Sequence, residues 1–256
     1  MIRLAVHGGG RMAERVVRAA QGRDGVRLAH LGARHRPAWL PDDVPCAPLA
    51  ALEVPVDLVI DFTLPGGTAE AARWCAAHGA ALVSGTTGLG ADDEAALAAA
   101  ARRVPVLWAP NLARGVNETV ALVEAAARDL PADLPVSIHD VHHVHKKDSP
   151  SGTALALARA VARARKVVLE DVLERAGEGE PAAPPPGRIR CSSRREGEVI
   201  GEHVVTFHLP SESVSIRHVA TDRSIYAEGA LDAGAWLLGQ APGRYAARDW
   251  LRGGAG

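Results

Sequence analysis

A cluster of three glycines directly after the first short apolar run is the feature that most constrains the fold of this chain. Residues 2–6 are apolar enough for a buried parallel strand, the glycines occupy 8–10, and residues 11–21 have the apolar spacing of a helix. The pattern Gly8-x-Gly10-x-x-Ala13 fits the fingerprint of a dinucleotide-binding loop. Glycines let the backbone approach a pyrophosphate, and free N–H groups at the helix N-terminus attract its charge. A glycine-rich turn without a ligand remains the alternative.

The alternation of short apolar runs with helical patterns continues through the first half of the chain. Further strands are predicted at 26–31, 56–62, 80–83 and 104–108, with helices over 66–78 and 91–103. Strands that alternate with helices of this length indicate βαβ units. We therefore expect an α/β fold with a doubly wound, Rossmann-type parallel sheet.

The regular alternation of strands and helices ends after residue 111. Helices are predicted over 116–128, from 152 onward and over 225–238. Strands are predicted over 135–141, 188–193, 198–209 and 213–219. Residues 177–187 form a predicted proline-rich loop. The last three strands have no helices between them, which favours an antiparallel or mixed sheet. We predict a dinucleotide-binding domain over 1–113, closed by the C-terminal segment 224–256, and an α+β substrate-binding domain over 114–223.

Charge balance and cysteine usage narrow the classes of function. The 256 residues include 29 basic and 30 acidic side chains, a formal net charge of -1, which argues against nucleic acid as the main partner. No apolar run approaches the roughly 18 residues that cross a bilayer, and no secretory signal is recognisable. The three cysteines form no C-x-x-C pair, which favours a reducing compartment. We expect a soluble, cytoplasmic protein with no membrane partner.

The end of the second predicted strand bears on the choice of cofactor. An NAD-binding domain places an acidic residue there, where the carboxylate binds the ribose 2′-hydroxyl. This chain instead has Arg34 and Arg36 and no acid, and arginines suit a 2′-phosphate. We therefore predict that NADPH is preferred, with NADH as the second cofactor. An ordinary solvated loop is the alternative in a chain this rich in arginine.

Residues 139–147 contain the densest group of histidines in the chain, followed by two of its few lysines. Four of the eleven histidines lie between 139 and 145, and two of the three lysines, Lys146 and Lys147, follow them directly. Three interpretations compete: a metal site using His143 and His145, a solvated basic surface, or a site for an anionic substrate and proton transfer. Two adjacent lysines repel a cation, and no carboxylate is convincingly placed as a third ligand with these histidines, so we expect no metal.

The predicted helix start that follows favours the third interpretation. Ser151, Gly152 and Thr153 offer hydroxyl and N–H groups at a helix N-terminus, where a carboxylate binds readily. Histidine titrates near neutral pH and can donate a proton, while lysine supplies positive charge or a proton when its pKa is lowered.

Taken together, these segments resemble the 4-hydroxy-tetrahydrodipicolinate reductase (dihydrodipicolinate reductase) family of the diaminopimelate route to lysine. The resemblance is carried by GRM at 10–12, DFT at 61–63, GTTG at 85–88, HHVHKKDSPSGTA at 142–154 and GEH at 201–203. It spans nearly the whole chain in the same order. It implies a dinucleotide domain followed by an α+β domain that forms the interface of a homotetramer.

The resemblance also implies roles for individual residues. His142 corresponds to the proton donor or acceptor and Lys146 to the catalytic lysine, while His143, Gly152 and Thr153 correspond to residues that hold the carboxylates of a small dicarboxylate substrate. Hydride transfer from the nicotinamide, followed by protonation, would give tetrahydrodipicolinate. With the residues singled out above, the expected cofactor site comprises Gly8, Gly9, Gly10, Arg11, Met12, Arg34, Gly85, Thr86, Thr87, Ala109, Pro110, Asn111 and Leu112.

The chain departs from the family pattern in its glycine loop, which is one residue shorter. His7 stands where small residues are expected, Ala13 replaces the last glycine, and Ala33 stands where an acid is common. Residues 111–114 replace a more usual aromatic or serine-containing segment. These differences concern the affinity and choice of the cofactor.

Two other functions remain alternatives. Another NAD(P)-dependent dehydrogenase of amino-acid metabolism would need a nucleophilic cysteine or a different proton relay, and no cysteine lies in a suitable motif. A non-catalytic regulator that binds the cofactor would not require both His142 and Lys146.

Overall fold

The computed structural model describes residues 1–179 and 182–253, and its contacts divide the chain into two units. One unit is Met1–Arg114 with the chain from Ser224 onward, and the other is Gly115–Arg223. Among the described residues, no helix is both long enough and apolar enough to cross a membrane.

The first unit is built on a seven-stranded sheet in which every pairing is parallel. Its strands are β1 (Ile2–His7), β2 (Val26–Gly32), β3 (Cys46–Ala47), β4 (Leu58–Asp61), β5 (Ala81–Ser84), β6 (Pro105–Trp108) and β12 (Gly243–Tyr245), in the order β12-β6-β5-β4-β1-β2-β3. Its helices are α1 (Arg11–Gln21), α2 (Gly67–His78), α3 (Ala91–Ala100), α7 (Ile225–Leu237) and α8 (Ala247–Gly253), with a short 3-10 turn at Leu49–Ala51.

Helices cover both faces of this sheet, which explains the almost continuous apolar runs of its strands. Leu4 and Val6 of β1 pack in a core shared with α1 and α7, whereas Ala5 between them packs in a second core with α2 and α3. Successive side chains of a strand point to opposite faces, so one short run supplies both cores.

The second unit contains a five-stranded mixed sheet in the order β11-β10-β7-β9-β8. Its elements are α4 (Arg114–Asp129), β7 (Val136–His142), α5 (Gly152–Arg165), α6 (Leu169–Val172), β8 (Leu173–Glu178), β9 (Ile189–Arg195), β10 (Gly201–His208) and β11 (Ser213–Ala220). β7 pairs in parallel with β9 and antiparallel with β10. One face of the sheet, including Ile138 and Val205, packs in an apolar core with α4 and α5.

The predicted fold class is confirmed: a doubly wound parallel sheet and a separate mixed sheet. The differences lie at short elements and at ends. β3, β8, β12 and α8 were not predicted, because runs of two to seven residues carry little periodicity. The third predicted helix ends at Ala100 rather than at 103, in a turn that leads into β6.

Candidate active site

The glycine loop lies where β1 ends and α1 begins, at the carboxyl edge of the parallel sheet. Gly8 has a φ of +120°, and a Cβ atom at this position would lie 2.7 Å from the carbonyl oxygen of Phe62. Any other residue would therefore be strained and would also clash with the loop after β4. The loop has the close backbone approach that a dinucleotide-binding turn requires.

The N-terminus of α1 is open to an anion. Gly10 is the N-cap residue and provides no side-chain hydrogen bond to the first turn. The first N–H groups of a helix have no partner within it, and they carry a partial positive charge. Arg11 is exposed and Met12 half-buried in this turn. The open turn fits the pyrophosphate of a dinucleotide, in agreement with the cradle made by Gly8.

A buried carboxylate organises the neighbouring ends of β4 and β5. Asp61 is completely buried and accepts hydrogen bonds from one backbone amide and four hydroxyl groups. The donors are Thr63 N (3.1 Å), Thr63 Oγ1 (2.7 Å), Thr68 Oγ1 (2.6 Å), Ser84 Oγ (2.7 Å) and Thr86 Oγ1 (3.1 Å). Thr86, one of the predicted cofactor residues, is therefore held by a network that also holds the loop after β4.

Gly85 and the segment after β6 complete this edge. A Cβ atom at Gly85 would lie 2.2 Å from the ring of Phe62, so the loop after β5 packs tightly against the loop after β4. The indole N–H of Trp108 donates to the carbonyl of Thr86 (2.9 Å), and the side chain of Asn111 accepts from the N–H of Ala113 (2.9 Å). The predicted cofactor segments 85–87 and 109–112 thus lie on neighbouring strand ends.

His7, the unusual residue of the loop, has a packing role. Its side chain is buried, and Nδ1 lies 3.1 Å from the carbonyl oxygen of Gly32. A Cβ atom at Gly32 would lie 2.9 Å from the same Nδ1, so the two residues fit each other. The imidazole occupies space between β1 and β2 and ties the end of β1 to the end of β2.

The two arginines after β2 differ. Arg36 donates to the carbonyl oxygens of Val44 (2.8 Å) and Pro41, so its guanidinium closes its own loop. Arg34 is exposed, and its side chain makes no hydrogen bond or ion pair within the described residues. Of the two, Arg34 is the one whose guanidinium is available to a ligand.

The second unit holds the predicted proton-transfer residues. His142 ends β7 and is buried, with Nδ1 2.9 Å from Oδ1 of Asp140. A carboxylate can only accept, so Nδ1 carries a proton and donates it to Asp140. Burial alone would raise the pKa of Asp140, but hydrogen bonds from His142, the Ser151 N–H and Ser193 lower it well below its usual range. Asp140 is therefore ionised at neutral pH.

Lys146 lies in the turn after β7. Its Nζ donates to Oδ1 of Asp148 (2.8 Å), and the Lys146 side chain is 21% exposed, against 58% for Asp148. The backbone of this turn is hydrogen-bonded to the turn between β9 and β10, through His143 N to Val199 O (2.6 Å) and Val144 N to Gly197 O (3.1 Å). Lys146 is thus a partly buried cation on an anchored turn.

Histidines around His142 differ in their surroundings. His203 on β10 is buried, with its ring edge-on to that of His142 at a centroid distance of 5.1 Å. Burial, with the nearby positive charge of His142, lowers the pKa of His203 to about 3. Burial also lowers the pKa of His143, helped by the charge of Arg223. His145 is largely exposed, 3.9 Å from Glu198.

Across residues 1–179 and 182–253 no group of three His, Cys, Asp or Glu side chains could hold a metal ion.

The start of α5 is built as the sequence predicts, but its three residues are not equivalent. Ser151 is buried, its N–H donates to Asp140 (3.0 Å), and its Oγ accepts from Ala154 N (3.1 Å) as the N-cap. Gly152 is exposed and Thr153 half-buried. The side chain of Ser151 is already used inside the protein, so the groups available to a ligand are those of Gly152 and Thr153.

Sequence reasoning missed Arg195 and Ser193 as partners of the site. Ser193 Oγ donates to Asp140 (2.8 Å), and Arg195 donates to Asp140 Oδ1 (3.1 Å) and to the carbonyl of Asp148 (2.6 Å). Both lie on β9, more than 50 residues after Asp140. A signal for Asp140 itself was present: Val136, Ile138, Asp140 and His142 alternate along β7, which places a carboxylate on the buried face.

Comparison with protein families covers both units. Residues 2–112 match the family described as "Dihydrodipicolinate reductase, N-terminus", and residues 115–251 match "Dihydrodipicolinate reductase, C-terminus". A protein of Ruegeria pomeroyi named 4-hydroxy-tetrahydrodipicolinate reductase is 40% identical over 256 residues, covering 94% of each chain. One of Sinorhizobium medicae with the same name is 41% identical over 265 residues, covering 98% of this chain and 97% of its own.

Comparison with solved structures supports the same fold. A dipicolinate-bound dihydrodipicolinate reductase from Paenisporosarcina sp. TG-14 superposes with a TM-score of 0.78 at 22% identity, covering 96% of this chain and 97% of the other. An amine dehydrogenase from Mycobacterium smegmatis superposes less closely, with a TM-score of 0.65 at 14% identity and coverage of 95% and 94%.

Proposed function

This chain belongs to the dihydrodipicolinate reductase family, and from that premise we propose how its residues carry out the NAD(P)H-dependent reduction of 4-hydroxy-tetrahydrodipicolinate in the diaminopimelate route to lysine. The observation that carries the proposal is the hydrogen bond between His142 Nδ1 and Asp140, which leaves Nε2 as the ring atom that exchanges a proton. Loss of water from the 4-hydroxy carbon of the substrate would give a conjugated ring, and the reduced nicotinamide, when bound, would supply a hydride to it. His142 then neutralises the electron pair left in that ring by giving it the Nε2 proton.

Cationic and N–H groups of the second unit suit a substrate with two carboxylates. Lys146 supplies a positive charge that stabilises developing negative charge, and its pairing with Asp148 holds the ammonium in place. The exposed Gly152 and the half-buried Thr153 begin α5, where the N–H groups of the first turn and the helix dipole favour an anion. We assign the substrate carboxylates to Gly152, Thr153 and His143, with Ser151 shaping the helix start from inside.

The dinucleotide would be held by the first unit. The uncapped start of α1 and the close approach at Gly8 suit the pyrophosphate, and the strand-end segments 85–87 and 109–112 suit the nicotinamide side. The residues of this unit bind and orient, whereas the groups assigned to proton transfer belong to the second unit.

The mechanism is tested with His142→Ala and Lys146→Ala. Each variant should lower turnover by about two to four orders of magnitude, because a general acid or the charge that supports it is lost. The assay follows NADPH oxidation with enzymatically generated substrate. Lys147→Ala is the matched control, since Lys147 is the exposed neighbour, and it should stay close to wild type. Near-wild-type turnover in both folded test variants would exclude the mechanism.

We propose that NADPH is preferred over NADH. The support is the exposed guanidinium of Arg34 at the end of β2, with Ala33 where an acid would repel a phosphate. Arg34→Ala should weaken NADPH binding about ten-fold and NADH binding much less, as measured by quenching of protein fluorescence, because the 2′-phosphate loses a cationic partner. Equal weakening of both cofactors would mean that the loop has only a structural role.

We also propose that the protein is a cytoplasmic homotetramer. The sheet of the second unit supports the assembly: one face forms the apolar core, while Val204 and Thr206 on the other face keep partial exposure. That face offers a surface for a second copy of the chain. Light scattering should give the mass of four chains, and a monomer at micromolar concentration would contradict the proposal. The three free cysteines agree with a reducing compartment.

A further inference from the structure

Asp140 is the point at which the separate parts of the second unit meet. Its carboxylate is completely buried and receives hydrogen bonds from three elements. Oδ1 accepts from His142 Nδ1 on β7 and from Arg195 on β9, and Oδ2 accepts from the Ser151 N–H at the start of α5 and from Ser193 on β9. A buried carboxylate is costly unless it is paired, and this one is paired four times.

One branch of this network fixes the imidazole of His142. The bond to Asp140 holds the proton on Nδ1 and leaves Nε2 as the ring nitrogen free to exchange a proton with a substrate. The edge-on ring of His203 and the absence of a side chain at Gly201, where a Cβ atom would lie 3.1 Å from Nε2, fit the ring in this orientation. The charged and titratable groups around His142 are Asp140 on its own strand, Arg195 on β9, His203 on β10, and His143, Lys146 and Asp148 in the following turn.

A second branch reaches the turn that carries Lys146. The same Arg195 guanidinium that donates to Asp140 also donates through Nε to the carbonyl of Lys146 (3.3 Å) and through its other terminal nitrogen to the carbonyl of Asp148 (2.6 Å). A planar guanidinium can satisfy three acceptors in fixed directions. The Lys146 turn is therefore tied to the same carboxylate as His142.

We propose that Asp140 is the positioning residue of the reaction, acting through His142 on the proton donor and through Arg195 on the turn that places Lys146. This inference rests on the proposed function of His142 and Lys146. Asp140 touches no substrate: it sets which nitrogen of His142 is protonated, and through Arg195 it holds the turn that carries the Lys146 ammonium. The same carboxylate also fixes the first residue of the carboxylate-binding helix start through the Ser151 N–H.

The test compares Asp140→Asn with Asp140→Glu in the full-length protein. The amide has the size of the carboxylate but no charge, so kcat should fall at least about 100-fold. With 15N-labelled histidine, His142 in this variant should no longer show the Nδ1–H tautomer alone, because an amide can donate to the ring nitrogen as well as accept from it. Asp140→Glu keeps the charged acceptor and should recover part of kcat together with the Nδ1–H tautomer. Asp129→Asn, an exposed aspartate of the same unit, is the matched control for loss of charge.

A measurement on the unmodified protein covers the case in which the variants do not fold. With 15N-labelled histidine, the neutral His142 ring should carry its proton on Nδ1 rather than on Nε2. The inference is overturned if the Nε2–H tautomer dominates, or if folded Asp140→Asn keeps wild-type kcat while His142→Ala is inactive. Full activity of His142→Ala would instead overturn the proposed function, so the two failures are distinguishable.

Discussion

Among the residues that the structure describes, each unit contains one carboxylate without any exposure, and these two carboxylates accept hydrogen bonds from different kinds of group. Asp61 in the first unit accepts from hydroxyls of Thr63, Thr68, Ser84 and Thr86 and from one backbone amide. Asp140 in the second unit accepts from an imidazole, a guanidinium, a backbone amide and only one hydroxyl.

These donors indicate that the Asp61 network has a structural role, whereas the Asp140 network contains groups assigned to the reaction. A hydroxyl can rotate and accept instead of donating, whereas a guanidinium and a backbone N–H can only donate. The partners of Asp61 can therefore adapt to a change at its centre, and none of them changes charge near neutral pH. Those of Asp140 include a group that titrates and a group that is always charged, so a change there alters charge and position together.

The largest effect on stability is expected from removing the carboxylate of Asp61. Asp61→Ala leaves several buried donors without an acceptor, and the free energy of unfolding in urea should fall by about 3 kcal/mol. Asp61→Asn keeps one oxygen, and rotating hydroxyls can bond its NH2 group, so the loss should be about 1 kcal/mol. Its kcat should fall much less than that of Asp140→Asn. Equal losses for both Asp61 variants would show that the hydroxyls cannot adapt.

A smaller effect, on kcat, is expected from replacing Arg195, which links Asp140 to the Lys146 turn. Arg195→Met should lower kcat by about 10- to 100-fold, because the Lys146 turn loses its tie to Asp140. Arg195→Lys should recover little, since one ammonium cannot reach three acceptors in the directions of a guanidinium. Arg194→Met is the control: the neighbouring side chain is exposed and pairs with Glu196. If Arg194→Met lost as much activity as Arg195→Met, the special role of Arg195 would be wrong.

The smallest effect concerns the neutral histidine beside the network. The pKa of His203 is lowered to about 3 by burial and by the charge of His142, whereas an unfolded chain binds this proton near pH 6.5. Below pH 6.5 the unfolded state binds a proton that the folded state does not bind. The free energy of unfolding therefore decreases as the pH is lowered. His203→Gln should remove up to about 1.4 kcal/mol of that loss per pH unit, as measured by urea unfolding between pH 7 and pH 4.5. The exposed His35→Gln should leave the slope unchanged.

Much of the fold followed from local patterns. The runs that become β1, β4 and β5 are mainly apolar because helices cover both faces of their sheet, and the turns after them contain glycine where strands meet helices. The predicted positions of His142, Lys146 and the start of α5 likewise depended on residues close together in the chain. The elements that were missed, such as the two-residue β3, are too short to carry a period.

The site could be predicted only as far as its residues are neighbours in sequence. The sequence placed both Arg34 and Arg36 after the second strand, with Arg34 in the expected cofactor site, and only the fold showed that Arg36 closes its own loop. Ser151 was grouped with Gly152 and Thr153, although burial turns its hydroxyl inward as a helix cap.

By itself, the sequence determined the order and type of the main elements and the segments in which chemistry is expected, because periodicity and turn chemistry are properties of adjacent residues. Only the tertiary structure decided that Asp140 meets Arg195, 55 residues away, since this contact depends on the parallel pairing of β7 with β9. Strand pairing is set by the packing of the whole sheet against its helices, and no local pattern encodes it.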